Sequence, residues 1–125
     1  MRLLLDTHMF LWTVTDSPRL TARARDDIVG AEAVYVSAAS IWEIAIKAAL
    51  GRIEGDVAVI ARSIEESGFI ELPITAAHAA RVSGLPPHHR DPFDRLLVAQ
   101  ALAEPLVLLT ADKELAQYSE LIRVA

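Results

Sequence analysis

An α/β fold built on a parallel sheet is what this sequence predicts, and three observations carry the prediction. Short apolar runs alternate with longer segments of helical periodicity along the whole chain. The runs are apolar throughout, as expected of strands covered on both faces. A helix-length segment separates most of them from the next, and parallel neighbours need such crossovers.

Residues 2–6 (RLLLD) read as a buried strand, being short and uniformly apolar. A helix follows over about 8–14. Ser17-Pro18 then breaks the chain before a second helix at about 21–30, with Thr21 at its cap position. Residues 33–37 (AVYVS) form the second strand. From Ser40 to Leu50 the spacing of Ile41, Ile44, Ala45 and Ala48 gives one apolar helix face, and Gly51 stands just past its end. Asp56 can cap a fourth helix ending at Gly68, ahead of a third strand at 69–72 and a stop at Pro73. A fifth helix spans 75–83 and ends at Gly84-Leu85-Pro86-Pro87. Asp91-Pro92 has the form of an N-cap with proline at the first helical position, opening a helix to about 103. A fourth strand at 106–110 (LVLLT), a short helix at 113–118 and a last strand at 121–124 follow, making a sheet of about four to five strands.

The chain has 125 residues, 53% of them hydrophobic, without a linker, repeat or low-complexity stretch. That predicts one domain over 1–125 with its own core and excludes a disordered chain. The absence of cysteine excludes a disulfide framework, thiol catalysis and thiolate metal sites, and it fits a cytoplasmic setting. No apolar run approaches the roughly 18 residues of a membrane span, so no membrane partner is expected. Asp6 interrupts the opening MRLLLDTHMFLW too early for a signal peptide. The net charge of −5 speaks against a simple basic nucleic-acid binder. It leaves nucleic acid open if several of the acids hold metal ions.

In parallel α/β sheets ligands bind beyond the carboxyl ends of the strands, so the residues there matter most. Asp6 ends the first strand and Asp112 follows the fourth. Each also suits a plain capping role. Glu43 stands where it can complete a capping box with Ser40 or pair with Lys47 four residues on. Asp91 is a natural N-cap, and Asp94 sits in the same first turn among apolar neighbours, where negative charge suits the helix dipole. As a set, Asp6, Glu43, Asp94 and Asp112 stand at element ends able to face one pocket. Two carboxylates about 4 Å apart repel by roughly 4 kcal/mol at an effective dielectric near 20, so a gathering of them calls for a divalent cation. Carboxylate and water ligands suit Mg²⁺ or Mn²⁺, and such a site at a sheet edge points to phosphoryl chemistry. Spacing alone does not show convergence.

Four segments carry a resemblance: LLLDTH at 3–8, SAASIWEIAIKAALGRI at 37–53, HRDPFDRLLVAQA at 89–101 and LLTADKEL at 108–115. In this order they resemble the PIN-domain family, and more narrowly its VapC-like toxins of toxin–antitoxin pairs. The resemblance implies an α/β/α sandwich, Mg²⁺- or Mn²⁺-dependent endoribonuclease activity leaving a 5′-phosphate and a 3′-hydroxyl, a homodimer, and inhibition by a cognate antitoxin. It maps the family's acids onto Asp6, Glu43, Asp94 and Asp112, as catalytic residues and metal ligands alike. Asp91 is a further acid of the DPFD version of the motif. Ser40 reads as a helix cap near the metal, and Thr110 as a residue that orients Asp112 or a metal-bound water.

Lys47, Arg95 and Arg52 are the candidates for RNA contact, and Lys47 is the foremost because it shares a helix face with Glu43. Arg19 is a further cation available to RNA. His88 and His89 read as surface-loop residues, and His8 as either a pocket residue or a helix-start residue. Phe10, Trp12 and Trp42 read as core or subunit-interface residues rather than platforms for bases. Two rival functions stand beside the ribonuclease. One is a small-molecule phosphatase or phosphotransferase using Asp6 as nucleophile, although His8 occupies the position where that chemistry usually has a second aspartate. The other is a non-catalytic RNA- or antitoxin-binding module whose acids merely cap helices.

Overall fold

A computed structural model describes all 125 residues. β1 (Arg2–Leu5) leads to α1 (Thr7–Val14) and α2 (Ala22–Gly30), and β2 (Ala33–Ser37) to α3 (Ala38–Ala49) and α4 (Val57–Glu66). β3 (Ile70–Leu72) leads to α5 (Ala76–Arg81), a 3₁₀ turn (Val82–Gly84) and α6 (Pro92–Ala103). β4 (Val107–Thr110), a 3₁₀ helix (Lys113–Tyr118) and β5 (Ile122–Val124) follow. The five strands form one sheet in the order β3-β2-β1-β4-β5. Every pairing is parallel.

Alternation along each strand divides the core into two layers. Leu3 and Leu5 of β1, Val34 and Val36 of β2 and Leu109 of β4 pack with Met9, Phe10, Ala24, Ile44 and Ile64. Leu4 and Leu108 face the other way, with Leu72, Ile122 and the α6 residues Leu97, Val98 and Ala101. Helices on both faces make the α/β/α sandwich, and the double coverage explains strands that are apolar on both sides.

Strand order places the site. The chain runs from β1 outward through β2 to β3, then returns across the sheet to build β4 and β5 on the other side of β1. The direction of winding therefore reverses between β1 and β4, where the helices that follow them part and leave a crevice. Asp6 N–H donates to Leu109 O at 3.1 Å and ties the two strand ends together at its floor.

Local signals set most boundaries. Thr21, Asp56 and Asp91 cap α2, α4 and α6 through side-chain oxygens that accept backbone N–H groups. Two expectations need correction. α3 begins at Ala38 with Ser37 as its cap, because Ser37 keeps strand-like backbone while its hydroxyl accepts Ala39 N–H at 3.0 Å. Ser40 is therefore no cap; it lies buried inside the helix. The helix expected over 75–83 ends at Arg81 and tightens into the 3₁₀ turn, where the Ser83 hydroxyl donates to Ala80 O at 2.9 Å.

Candidate active site

Asp6 extends from the end of β1 and is 4% exposed. Its Oδ1 accepts Met9 N–H at 2.9 Å and so caps α1, while its Oδ2 accepts the Thr110 hydroxyl at 2.6 Å. The capping reading is thus met by one oxygen, while the other is held by Thr110 at the floor of the cleft. Burial pushes the Asp6 carboxyl above the ordinary aspartate value, these two hydrogen bonds pull it back, and the charge of Glu43 adds to the rise. Thr110 also accepts Asp112 N–H at 3.0 Å, so one buried hydroxyl sets both the Asp6 carboxylate and the chain leading to Asp112.

Glu43 is the sixth residue of α3, not a first-turn residue paired with Ser40, since the helix starts earlier. It is 3% exposed. Its Oε1 accepts the Thr7 hydroxyl at 2.7 Å, and Thr7 lies 3.0 Å from the Ser40 hydroxyl as well. Its Oε2 accepts from Lys47 Nζ at 2.6 Å, the helical pair that the spacing offered.

Asp91 caps α6 by accepting Phe93 N–H at 2.9 Å and Asp94 N–H at 3.3 Å. Asp94 stands in the first turn, its side chain 20% exposed. Burial, then the negative charges of Asp91, Asp6 and Glu43, push its carboxyl up to about 7, and His89 offsets only part of this. These mutual effects bring Asp6, Glu43, Asp91 and Asp94 within electrostatic reach of one another. Asp112 caps the 3₁₀ helix through Glu114 N–H at 2.9 Å and accepts from His89 Nε2 at 2.9 Å.

His89 is a residue that sequence reasoning missed. It was expected on a surface loop, yet its ring is mostly buried in the acidic cleft, 3.8 Å from Asp94. Asp91 N–H donates to its Nδ1 at 3.1 Å, which leaves the ring proton on Nε2, aimed at Asp112. Burial lowers the ring's pKa, but the bond to Asp112 and the surrounding acids outweigh it and raise it overall. Protonating Nδ1 as well would break the bond from Asp91. The signal available in the sequence was the position of His89, two residues before the DPFD segment.

The donor atoms of His89, Asp112 and Glu114 lie within 4.8 Å of one another, which brings a second group of ligand types together. Asp6, Glu43 and Asp94 form no grouping this tight, although Asp6 and Asp94 line the same cleft as His89 and Asp112. Both His89 nitrogens are engaged in hydrogen bonds, and Glu114 is solvated and needs no compensation. Asp94, by contrast, is a carboxyl pushed toward neutrality by burial and like charge. The cleft's carboxylates are the ligand type that hard divalent cations take.

Asp6, Asp91, Asp94, Asp112 and His89 line a cleft of about 450 Å³ together with His8, Trp12 and Arg19. Glu43, expected to face the same pocket, is not among its lining residues; it is buried on α3 and bound to Thr7 and Lys47, which line the neighbouring cleft. Trp12, expected in the core or an interface, packs on the core along one side and borders the cleft, with the His8 ring stacked on it at 5.8 Å. Lys47 and Arg52 line the neighbouring cleft. Arg95 does not join them. Its guanidinium donates to the carbonyls of Pro86, Val82 and Leu85 and to the Tyr118 hydroxyl at 2.9–3.4 Å, so it clamps a loop instead of presenting a free cation. Trp42 is 59% exposed and meets Phe93 edge-on, and Phe10 is fully buried.

Comparison with known proteins adds a family. A family model described as PIN domain matches residues 3–121. Ribonuclease VapC22 of Mycobacterium tuberculosis (strain ATCC 25618 / H37Rv) is 32% identical over 114 residues, covering 90% of this chain and 88% of the relative. Among solved structures, VapBC2 from Rickettsia felis bound to a promoter DNA fragment superposes with a TM-score of 0.71 at 14% identity, covering 100% of this chain and 98% of that one. A toxin–antitoxin complex from Klebsiella pneumoniae gives 0.67 at 17%, covering 98% and 96%. At these identities the structural likenesses show the fold alone.

Proposed function

This chain belongs to the PIN domain family, in its VapC-like branch, and from that premise we propose that it is a metal-dependent endoribonuclease, the toxin of a toxin–antitoxin pair. The observation that carries the reading is geometric: Asp6, Asp91, Asp94 and Asp112 line one cleft at the winding reversal of the sheet, where burial and neighbouring acids push the Asp94 carboxyl up. Such a cluster is electrostatically incomplete without a cation. Asp6 and Asp94 are the residues that would hold Mg²⁺ or Mn²⁺, with Asp112 completing the set directly or through water and Glu43 adding charge from behind Thr7. When bound, the ion would lower the pKa of a water and neutralise charge on the departing oxygen. Hydrolysis forms a bond from water oxygen to phosphorus and breaks the bond from phosphorus to the 3′ oxygen, leaving a 5′-phosphate and a 3′-hydroxyl.

The remaining residues orient and bind. Thr110 and Met9 N–H hold the Asp6 carboxylate in one rotamer, and His89 does the same for Asp112. Lys47 and Arg52 provide positive charge beside the cleft for RNA phosphates. A nucleophilic Asp6 is disfavoured, because both of its oxygens accept hydrogen bonds and it is almost wholly buried. A non-catalytic module leaves unexplained why so many acids share one pocket.

Purified protein is expected to cleave single-stranded RNA with Mn²⁺ or Mg²⁺ and to stop when EDTA is added. The small protein expected from an adjacent reading frame should inhibit it, by placing an Arg or Lys among the acids. Cleavage that persists in EDTA would overturn the metal-dependent reading.

We also propose a homodimer. Trp42 and Ile46 of α3 and its C-cap Leu50 recur every four residues and are 59%, 38% and 63% exposed, an apolar stripe that a second copy would cover. Light scattering at micromolar concentration is expected to give about twice the chain mass of 13.6 kDa. A monomer mass would contradict it.

A further inference from the structure

Beside the acidic cleft lies a second one of about 490 Å³ with the opposite charge, and the two share His8, Trp12 and Arg19 as a common ledge. The second cleft adds Lys47 and Arg52 to Arg19. Lys47 is partly neutralised by Glu43, whereas the ion pairs of the protein leave the Arg19 and Arg52 guanidinium groups unengaged. On the ledge the rings of His8 and Trp12 stack at 5.8 Å with their planes 29° apart. Trp12 is braced against the core, and His8 is exposed, so the stack is anchored at one end and open to solvent at the other.

Cation, aromatic stack and acid site thus follow one another along a continuous surface. From this we infer that the ledge is a nucleotide subsite, in which His8 and Trp12 stack an unpaired base next to the scissile phosphate while Arg19 and Arg52 hold the phosphates that flank it. This rests on the ribonuclease reading and adds base recognition to it. Stacking on an aromatic surface tolerates any base but needs that base unpaired, and two exposed arginines track the backbone without reading sequence. A ledge of apolar residues alone would fit a protein tail better; the paired guanidinium groups favour the polyanion.

The test compares two probes of equal charge on the full chain carrying Asp94→Asn to prevent cleavage: a uridine octamer, and an octamer of abasic ribose phosphate. The uridine octamer is expected to bind roughly tenfold more tightly, from stacking. His8→Ala with Trp12→Phe should remove most of that preference, and because Trp12 also braces the core, His8→Ala alone is measured as a variant of an exposed residue. Arg19→Ala and Arg52→Ala should weaken both probes alike and lower the slope of log affinity against log salt by about 0.7 for each arginine removed. Equal binding of the two probes, or a preference untouched by His8→Ala and the double variant, would overturn the subsite. Binding of an antitoxin tail to this ledge with no binding of either probe would overturn it too, assigning the surface to a protein partner. Cleavage by the unmodified chain is followed separately: if it occurs while the preference is absent, only the subsite falls. If the preference is present without any cleavage, the ribonuclease reading falls and with it the subsite beside a scissile phosphate, leaving only a surface that binds single-stranded RNA.

Discussion

Asp94→Asn is expected to abolish RNA hydrolysis and at the same time to raise the thermal stability of the metal-free protein. Groups that merely support a metal ligand already cost about 10–100-fold when removed, so loss of a ligand itself should cost at least about a hundredfold. The stability gain follows from the sign of the pKa shift. The folded-state carboxyl titrates near 7, above the unfolded value of about 4. Between those values the folded chain binds more protons than the unfolded one, so stability falls as pH rises. Above about 7 the full penalty of an ionised, crowded carboxylate is present, and asparagine removes it. The melting temperature of the variant should exceed the parent's by a few degrees at pH 8, since about 1 kcal/mol moves the midpoint of a domain this size by roughly 4 °C. At pH 4 the difference should vanish. Asp6→Asn should lose hydrolysis to a similar degree and still fold: its amide oxygen can keep Met9 N–H, and removing a buried charge offsets the loss of an acceptor for the Thr110 hydroxyl. Full Mn²⁺-dependent turnover in either folded variant would remove that residue from the metal site, and an unshifted melting curve for Asp94→Asn at pH 8 would contradict the charge crowding.

Mn²⁺ affinity of the unmodified protein should fall about tenfold for each pH unit below about 7 and level off above it. A proton on Asp94 has to leave before the carboxylate can bind a cation, so metal and proton compete for one group. The burial and like charge that raise this pKa are the same features that call for the ion. Titration calorimetry in two buffers of different ionisation enthalpy reads the effect directly, as a binding heat that tracks the buffer at pH 6 and ceases to do so near pH 8. An affinity constant from pH 5.5 to 8 would show that Asp94 gives up no proton on binding and stands outside the site.

Much of this protein was legible along the chain. The order of strands and helices, the caps at Thr21, Asp56 and Asp91, and the acids at the ends of β1 and β4 all follow from interactions spanning a few residues, or from the apolar character of each run. Even so, the choice between Ser37 and Ser40 as the cap of α3 turned on where β2 lets the backbone go, which composition does not specify. Asp6 and Asp112 both serve as caps and both border the cleft, since one carboxylate has two oxygens: one serves the helix while the other is held by Thr110 or His89.

What the sequence by itself determined, then, is a parallel α/β fold with carboxylates at the ends of its strands, because a run's hydrophobicity and a helix's cap are local properties. Convergence was decided by the tertiary structure alone. Asp6 meets Thr110 across 104 residues, and His89 meets Asp112 across 23, only because the winding reverses between β1 and β4. The same packing turned the loop residue His89 inward to the cleft, left Trp12 on the core with one edge bordering that cleft, and turned Arg95 inward onto loop carbonyls. A side chain's neighbours across the sheet depend on strand order, and no spacing within the chain records that order.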